Sequence, residues 1–129
     1  MQRDFVITLP WPPRQLNPNV TVHWAQLGRV TKKAHKEGFL LMRSAMAKQD
    51  PIDPSKIVGK VRISYLFAPP DNRARDDDNL IRCMKPYRDG IAQALGVDDK
   101  IFRTCESDFA KATRPAFVTA HIQVEVKDD

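Results

Sequence analysis

Val61-Arg62-Ile63-Ser64-Tyr65-Leu66-Phe67-Ala68-Pro69-Pro70, running on into Asp71-Asn72-Arg73-Ala74-Arg75-Asp76-Asp77-Asp78-Asn79, decides the fold. In the first half Val61, Ile63, Tyr65 and Phe67 fall on one side of an extended chain and Arg62 and Ser64 on the other. That is the period of a half-buried strand, read here from Lys56 to Phe67. Pro69 and Pro70 end it, because proline fixes φ and donates no hydrogen bond. Near Asp78 or Asn79 a helix begins, where an Asx side chain can cap the free N–H groups of a first turn. The unit is strand, basic loop, acidic helix start.

The helix that follows carries Leu80, Ile81, Met84, Ile91, Ala92 and Leu95 and stops at Gly96. Pro86 inside it either kinks it or begins a second segment. Upstream, Phe5 to Leu9 reads as a first strand, and Pro10, Pro12 and Pro13 around Trp11 hold the chain extended. From there to about Val30 no periodicity is sustained, which predicts an ordered loop. Between Thr31, a plausible N-cap, and Gln49, the residues Ala34, Gly38, Leu41, Met42 and Ala45 recur at helical spacing. Lys32, Lys33, Lys36, Arg43 and Lys48 fall elsewhere, giving the helix a basic face that is either solvated or phosphate-facing. Asp50-Pro51-Ile52-Asp53-Pro54 is a turn. Two strands finish the chain, Lys100 to about Phe109 and Ala116 to Val126. The expected fold class is α/β (α+β): two helices packed on a mixed sheet of about four strands.

At 129 residues and 42% hydrophobic the chain suits one domain, spanning 1–129. The formal net charge is +5. Since Asp76, Asp77, Asp78, Asp98 and Asp99 concentrate five of the acids, the rest of the surface is more basic than the sum suggests, a balance that favours nucleic acid as partner. Cys83 and Cys105 have no metal-ligand spacing, and no long apolar segment follows the N-terminus. Both observations fit reduced thiols in a cytoplasmic protein. No apolar run reaches the roughly 20 residues that cross a bilayer, so no membrane partner is expected.

Carboxylates crowded as in Asp76-Asp77-Asp78 repel one another unless a cation offsets them, which points to a divalent metal. In an extended approach Asp76 and Asp78 point to one side, about 6 to 7 Å apart, and Asp77 to the other. Arg82 and Lys85 lie on the same helical face as Asp78, and either cation would stabilise a developing oxyanion. Asp89 extends that stripe and pairs with Lys85. Each piece also has a plainer reading: the first acids as a solvated helix start, Asp98-Asp99 as an ordinary turn. The absence of a His or Cys cluster argues against zinc. Trp11 and Trp24 read as loop anchors, with base stacking left open for Trp24.

The chain resembles the RusA family of Holliday junction resolvases. The features that carry the resemblance are the strand running into Leu9-Pro10-Trp11-Pro12-Pro13, the Arg-rich loop closing on Asp76-x-Asp78-Asn79, a helix bearing Lys85 and Asp89-Gly90-Ile91, and Gly96-Val97-Asp98-Asp99 before a strand. The resemblance implies a homodimer that binds branched DNA, a four-way junction, and nicks two opposed strands with Mg²⁺, or alternatively Mn²⁺, held by aspartates. The implied metal ligands are Asp76, Asp78 and Asp99, with Asp98 the neighbour of the third. The implied active-site cation is Lys85, with Arg82 the alternative. Arg14, Arg73, Arg75 and Arg82 are the candidate DNA contacts. A non-catalytic DNA-binding dimer is the competing reading. A small phosphohydrolase ranks third, because Arg73-Ala74-Arg75 intervenes where that class needs an apolar strand running directly into the acids.

Overall fold

The structure, a computed structural model, describes residues 1–128. Four strands, β1 (Gln2–Pro10), β2 (Ile57–Ala68), β3 (Phe102–Phe109) and β4 (Phe117–Val126), form one sheet in the order β1-β4-β2-β3. β4 runs antiparallel to both β1 and β2, whereas β2 and β3 are parallel. The expected α+β architecture with a mixed four-stranded sheet is therefore the observed one. Helices α1 (Trp24–Met46), α2 (Asp77–Cys83) and α3 (Lys85–Leu95) complete it.

Alternation in the strands puts one face of the sheet into the core. Phe5, Ile7, Leu9, Val61, Ile63, Phe67, Val118, Ala120, Ile122 and Val124 are buried there against Met42, Met84, Tyr87 and Ile91 from the helices. Each fully buried side chain of this size stabilises the fold by about 1.5 to 3 kcal/mol relative to exposure. Residues between them, such as Val6, Arg62 and Leu66, stay exposed on the opposite face. α1 and α3 cross backbone to backbone. A Cβ on Gly38 would overlap the carbonyl of Tyr87, and one on Gly90 the carbonyl of His35, so neither crossing position has room for a side chain.

The helix predicted from Asp78 or Asn79 to Leu95 is two segments. Pro86 stands in the first turn of α3, where its missing N–H has no partner to lose, and Met84 joins the segments in a near-helical conformation. Because β2, α2–α3 and the parallel β3 form a βαβ unit, the loop 71–76 lies beyond the carboxyl end of β2, the end at which such units gather functional residues.

The largest boundary correction is at α1, while β1 starts at Gln2, three residues before the expected Phe5, and β3 at Phe102, two after Lys100. α1 begins at Trp24 and not at Thr31, so seven residues of the expected loop, 24–30, are helix. His23 Nδ1 accepts from the Ala25 N–H at 3.2 Å, a cap from a residue type that does not advertise one. Within the added turns Trp24 is 80% exposed and Leu27, Gly28 and Arg29 are also exposed. No buried stripe exists there to give a helical period. Trp24 stacks on His23, with ring centroids 5.6 Å apart, and does not anchor on the core. Trp11 does, edge-on to Phe67 at 6.1 Å.

Candidate functional site

The acidic run is shaped by the turn from loop into helix. Asp76 is the N-cap of α2, extended at φ −84° and ψ 114°, and its Oδ1 accepts the Asp78 N–H at 3.0 Å. Asp77 and Asp78 are already helical, so three consecutive side chains wrap round the helix start and do not alternate. One carboxylate oxygen of each of Asp76, Asp77 and Asp78 lies within 4.8 Å of the others. The expectation that Asp77 turns away is thus corrected. Asp77 Oδ2 also accepts from Ser107 Oγ at 3.1 Å, which ties the trio to β3.

Asp71 organises the basic loop before the trio. It accepts from the Arg73 N–H at 3.0 Å, from Arg73 Nε at 3.2 Å and from Arg75 Nη2 at 2.8 Å. The Arg73 backbone N–H, with the Arg75 and Arg73 side chains, holds the Asp71 carboxyl down to about 2. Arg75 is engaged internally: Nη1 donates to the carbonyls of Asp71 and Arg73, and its guanidinium lies 5.6 Å from the Trp11 ring centroid. Arg73, by contrast, is 80% exposed. The exposed Arg14 lines, with Trp11, Arg73, Asp76 and Asn79, a depression of about 440 Å³ alongside the trio. Of the two loop arginines, Arg73 faces solvent and Arg75 sets the loop.

A second charged group lies further along the helical path. Lys85 Nζ donates to Asp89 Oδ1 and to Asp99 Oδ2, each at 2.6 Å. Burial alone would depress the ammonium, but these two hydrogen bonds outweigh it and raise its pKa, so Lys85 is a permanent cation. The same contact, chiefly, holds the Asp99 carboxyl down to about 2. Asp98 serves locally, its Oδ1 accepting the Lys100 N–H at 2.9 Å as cap of the short helical turn Asp99–Ile101. Of that pair, Asp99 faces the helix.

Asp99 is held by Lys85, outside the group of carboxylates that lie within 4.8 Å of one another. That group is Asp76, Asp77 and Asp78; of the predicted set of Asp76, Asp78 and Asp99, the first two belong to it and Asp99 is held at Lys85. Beside Lys85 lies a cavity of about 340 Å³ lined by Tyr65, Ile81, Arg82, Lys85 and Arg88. Arg82 and Lys85 share it, as their common helical face implied. Arg88 and Ser107 are additions. Arg88 was signalled only by its place one turn after Lys85, and Ser107 by nothing local, since its role depends on which strand lies beside β2.

No family model matches the chain. A protein of Xylella fastidiosa (strain Temecula1 / ATCC 700964), itself described as uncharacterized, is 39% identical over 98 residues, which are 74% of this chain. The chain covers 61% of that relative's length. Among solved structures, thiamine-monophosphate kinase from Stenotrophomonas maltophilia K279a gives a TM-score of 0.41 at 13% identity, covering 98% of this chain and 31% of that one. Cyanuric acid hydrolase from A. caulinodans gives 0.43 at 13% identity, covering 99% and 40%.

Proposed function

We propose that this chain is a metal-dependent endodeoxyribonuclease that acts as a homodimer and resolves four-way DNA junctions, with Mg²⁺ or Mn²⁺ as cofactor. The observation that carries the reading is the convergence of three carboxylates within 4.8 Å beside an exposed arginine loop. The likeness of Arg73-x-Arg75-Asp76-x-Asp78-Asn79 and Asp98-Asp99 to the RusA pattern supports it and supplies the substrate class.

The donor set suits a hard divalent ion. All three groups offer carboxylate oxygens, and after Asp76 has capped the helix and Asp77 has accepted from Ser107 each still has unused acceptor capacity. A divalent cation held by Asp76, Asp77 and Asp78 would supply Lewis acidity toward a phosphoryl oxygen and a more acidic water. Lys85, kept protonated by Asp89 and Asp99, offers fixed positive charge to the oxyanion that develops on the phosphate or the departing 3′ oxygen. Arg73 and Arg14 present charge to backbone phosphates. Two copies related by a two-fold axis would make two geometrically equivalent cuts in a junction of matching symmetry.

The test is one gel. Purified protein is incubated with a four-way junction and with a matched linear duplex, each with Mg²⁺ and with chelator. Paired, Mg²⁺-dependent nicks in the junction alone are expected. Binding with no nicks in any lane would replace the reading with that of a DNA-binding dimer, and equal cutting of both substrates with that of a general nuclease.

A further inference from the structure

The cavity between α2, α3 and β2 is unusual in its lining: three cations, Arg82, Lys85 and Arg88, and two largely apolar walls, Ile81 and Tyr65. Tyr65 is 4% exposed and burial pushes its hydroxyl pKa upward, so that wall offers no negative charge. Lys85 is balanced by Asp89 and Asp99. Arg88 is not balanced comparably, since its Nη2 lies 3.9 Å from Asp99 Oδ2, a long contact made to a carboxylate already engaged by Lys85 at 2.6 Å. Its Nε is buried and, among the described residues, has no hydrogen-bond partner. A buried guanidinium N–H without an acceptor costs more than an ordinary lost hydrogen bond, because the group is charged and desolvated. Nε itself is closed to the cavity, and an oxyanion seated there meets the part of the Arg88 guanidinium that lines it and has only a long contact to Asp99.

The position also fits. Tyr65 is the ladder partner of Ser107, whose hydroxyl holds Asp77. Arg82 follows Asp78 by one helical turn, and Lys85 leads to Asp99. Residues of the cavity lining are thus linked both to the acidic trio, through Ser107, and to Asp99.

We propose that this cavity is a phosphoryl-oxyanion site, that Arg88 is its principal donor, and that its occupant is a backbone phosphate of the DNA substrate. The assignment rests on the nuclease reading for its occupant, but its chemistry does not depend on cleavage. Arg88 is a substrate-binding residue that holds the strand in place beside the trio. A planar guanidinium gives it the geometry to grip two phosphoryl oxygens at once, which a lysine lacks.

Two measurements without metal test it. In the first, wild-type protein labelled for arginine side-chain NMR is titrated with inorganic phosphate. The Arg88 Nε–H resonance is expected to move and saturate, and shifts confined to other arginines would overturn the assignment. In the second, junction affinity is measured in chelator across a salt series for wild type and Arg88→Gln. The variant is expected to bind about tenfold more weakly, with the slope of log affinity against log salt reduced by about one. An unchanged slope would remove DNA as the occupant even if free phosphate binds. If Arg88→Gln fails to fold, the titration of the wild type still decides. The two readings fail separately: phosphate binding and a reduced slope in a protein that never nicks DNA would sink the nuclease and keep the cavity. Normal nicking with an inert Arg88 would do the reverse.

Discussion

Lys85 and Asp99, fourteen positions apart in the chain, are joined by a 2.6 Å hydrogen bond from Nζ to Oδ2. The bond returns the short helical turn Asp99–Ile101, which leads into β3, to the beginning of α3 and fixes a cation beside the cavity. Its Lys85 side chain is 52% exposed, so its contribution to folding is small, on the order of 0 to 1 kcal/mol for a surface pair of this kind. Its value lies in where it holds the charge.

Lys85→Ala is therefore expected to leave thermal unfolding nearly unchanged and to lower junction nicking by about 10²- to 10³-fold, the usual effect of removing one preorganised stabiliser of a transition state. Single-turnover nicking beside a melting curve checks this. A large loss of stability with little loss of rate would make the lysine structural.

Asp71 gives a pH prediction. Its carboxyl is held down to about 2 by the Arg73 N–H and the two arginine side chains, below the ordinary carboxylate range. A depressed folded-state pKa adds stability that is present above the unfolded value and is lost as pH falls through the folded one, so the window runs from about pH 4 to pH 2. The melting temperature of wild type is expected to exceed that of Asp71→Asn at pH 6, with the gap closing across that window. A gap that stays constant down to pH 2 would contradict the contact.

Arg73 and Arg75 should separate by assay. Arg73 is exposed, and Arg73→Gln is expected to weaken junction binding and reduce the salt slope by about one. Arg75 donates to Asp71 and to two carbonyls, a fork that lysine cannot reproduce. Arg75→Lys is expected to lower nicking with the salt slope unchanged, because the loop that presents the trio loosens while the phosphate contacts remain. A fall in slope equal to that of Arg73→Gln would return Arg75 to the DNA.

The glycines of the helix layer divide in the same way. Gly90→Ala would drive a methyl group into the carbonyl of His35 and is expected to cost about 3 kcal/mol, near the upper end for overpacking. Gly28 lies exposed in the first turns of α1 with open space around it, and Gly28→Ala is expected to add about 0.5 to 1 kcal/mol through helix propensity. Denaturant midpoints for the two variants check both signs.

Much of this architecture was legible from local pattern. Alternation in Val61 to Phe67 and Val118 to Val124 marked the two central strands, because their buried and exposed faces differ at every residue. Pro86 was legible as a disturbance but not as a boundary, since proline suits both a kink and a first turn. The start of α1 was hidden because its first turns bury nothing. At the candidate site the crowding of Asp76, Asp77 and Asp78 is plain in the sequence, but the extended spacing expected for Asp76 and Asp78 is not the one observed. Asp77 was misread by assuming an extended approach where Asp76 had already capped a helix. Asp99 entered as a ligand only through the family resemblance, and in the structure its carboxylate is engaged by Lys85. The orphaned Nε of Arg88 has no one-dimensional signature, since it depends on how α3 packs over Tyr65.

The measurement that bears most directly on the central claim is Mg²⁺-dependent nicking of a four-way junction by wild type and Asp78→Asn, with junction affinity measured on the same samples. The expected result is loss of nicking by at least about 10³-fold with affinity unchanged or tighter, since the substitution removes one of three converging carboxylates and one negative charge near phosphate. Nicking that survives the substitution, or binding that falls in step with it, would contradict a cation held by Asp76, Asp77 and Asp78.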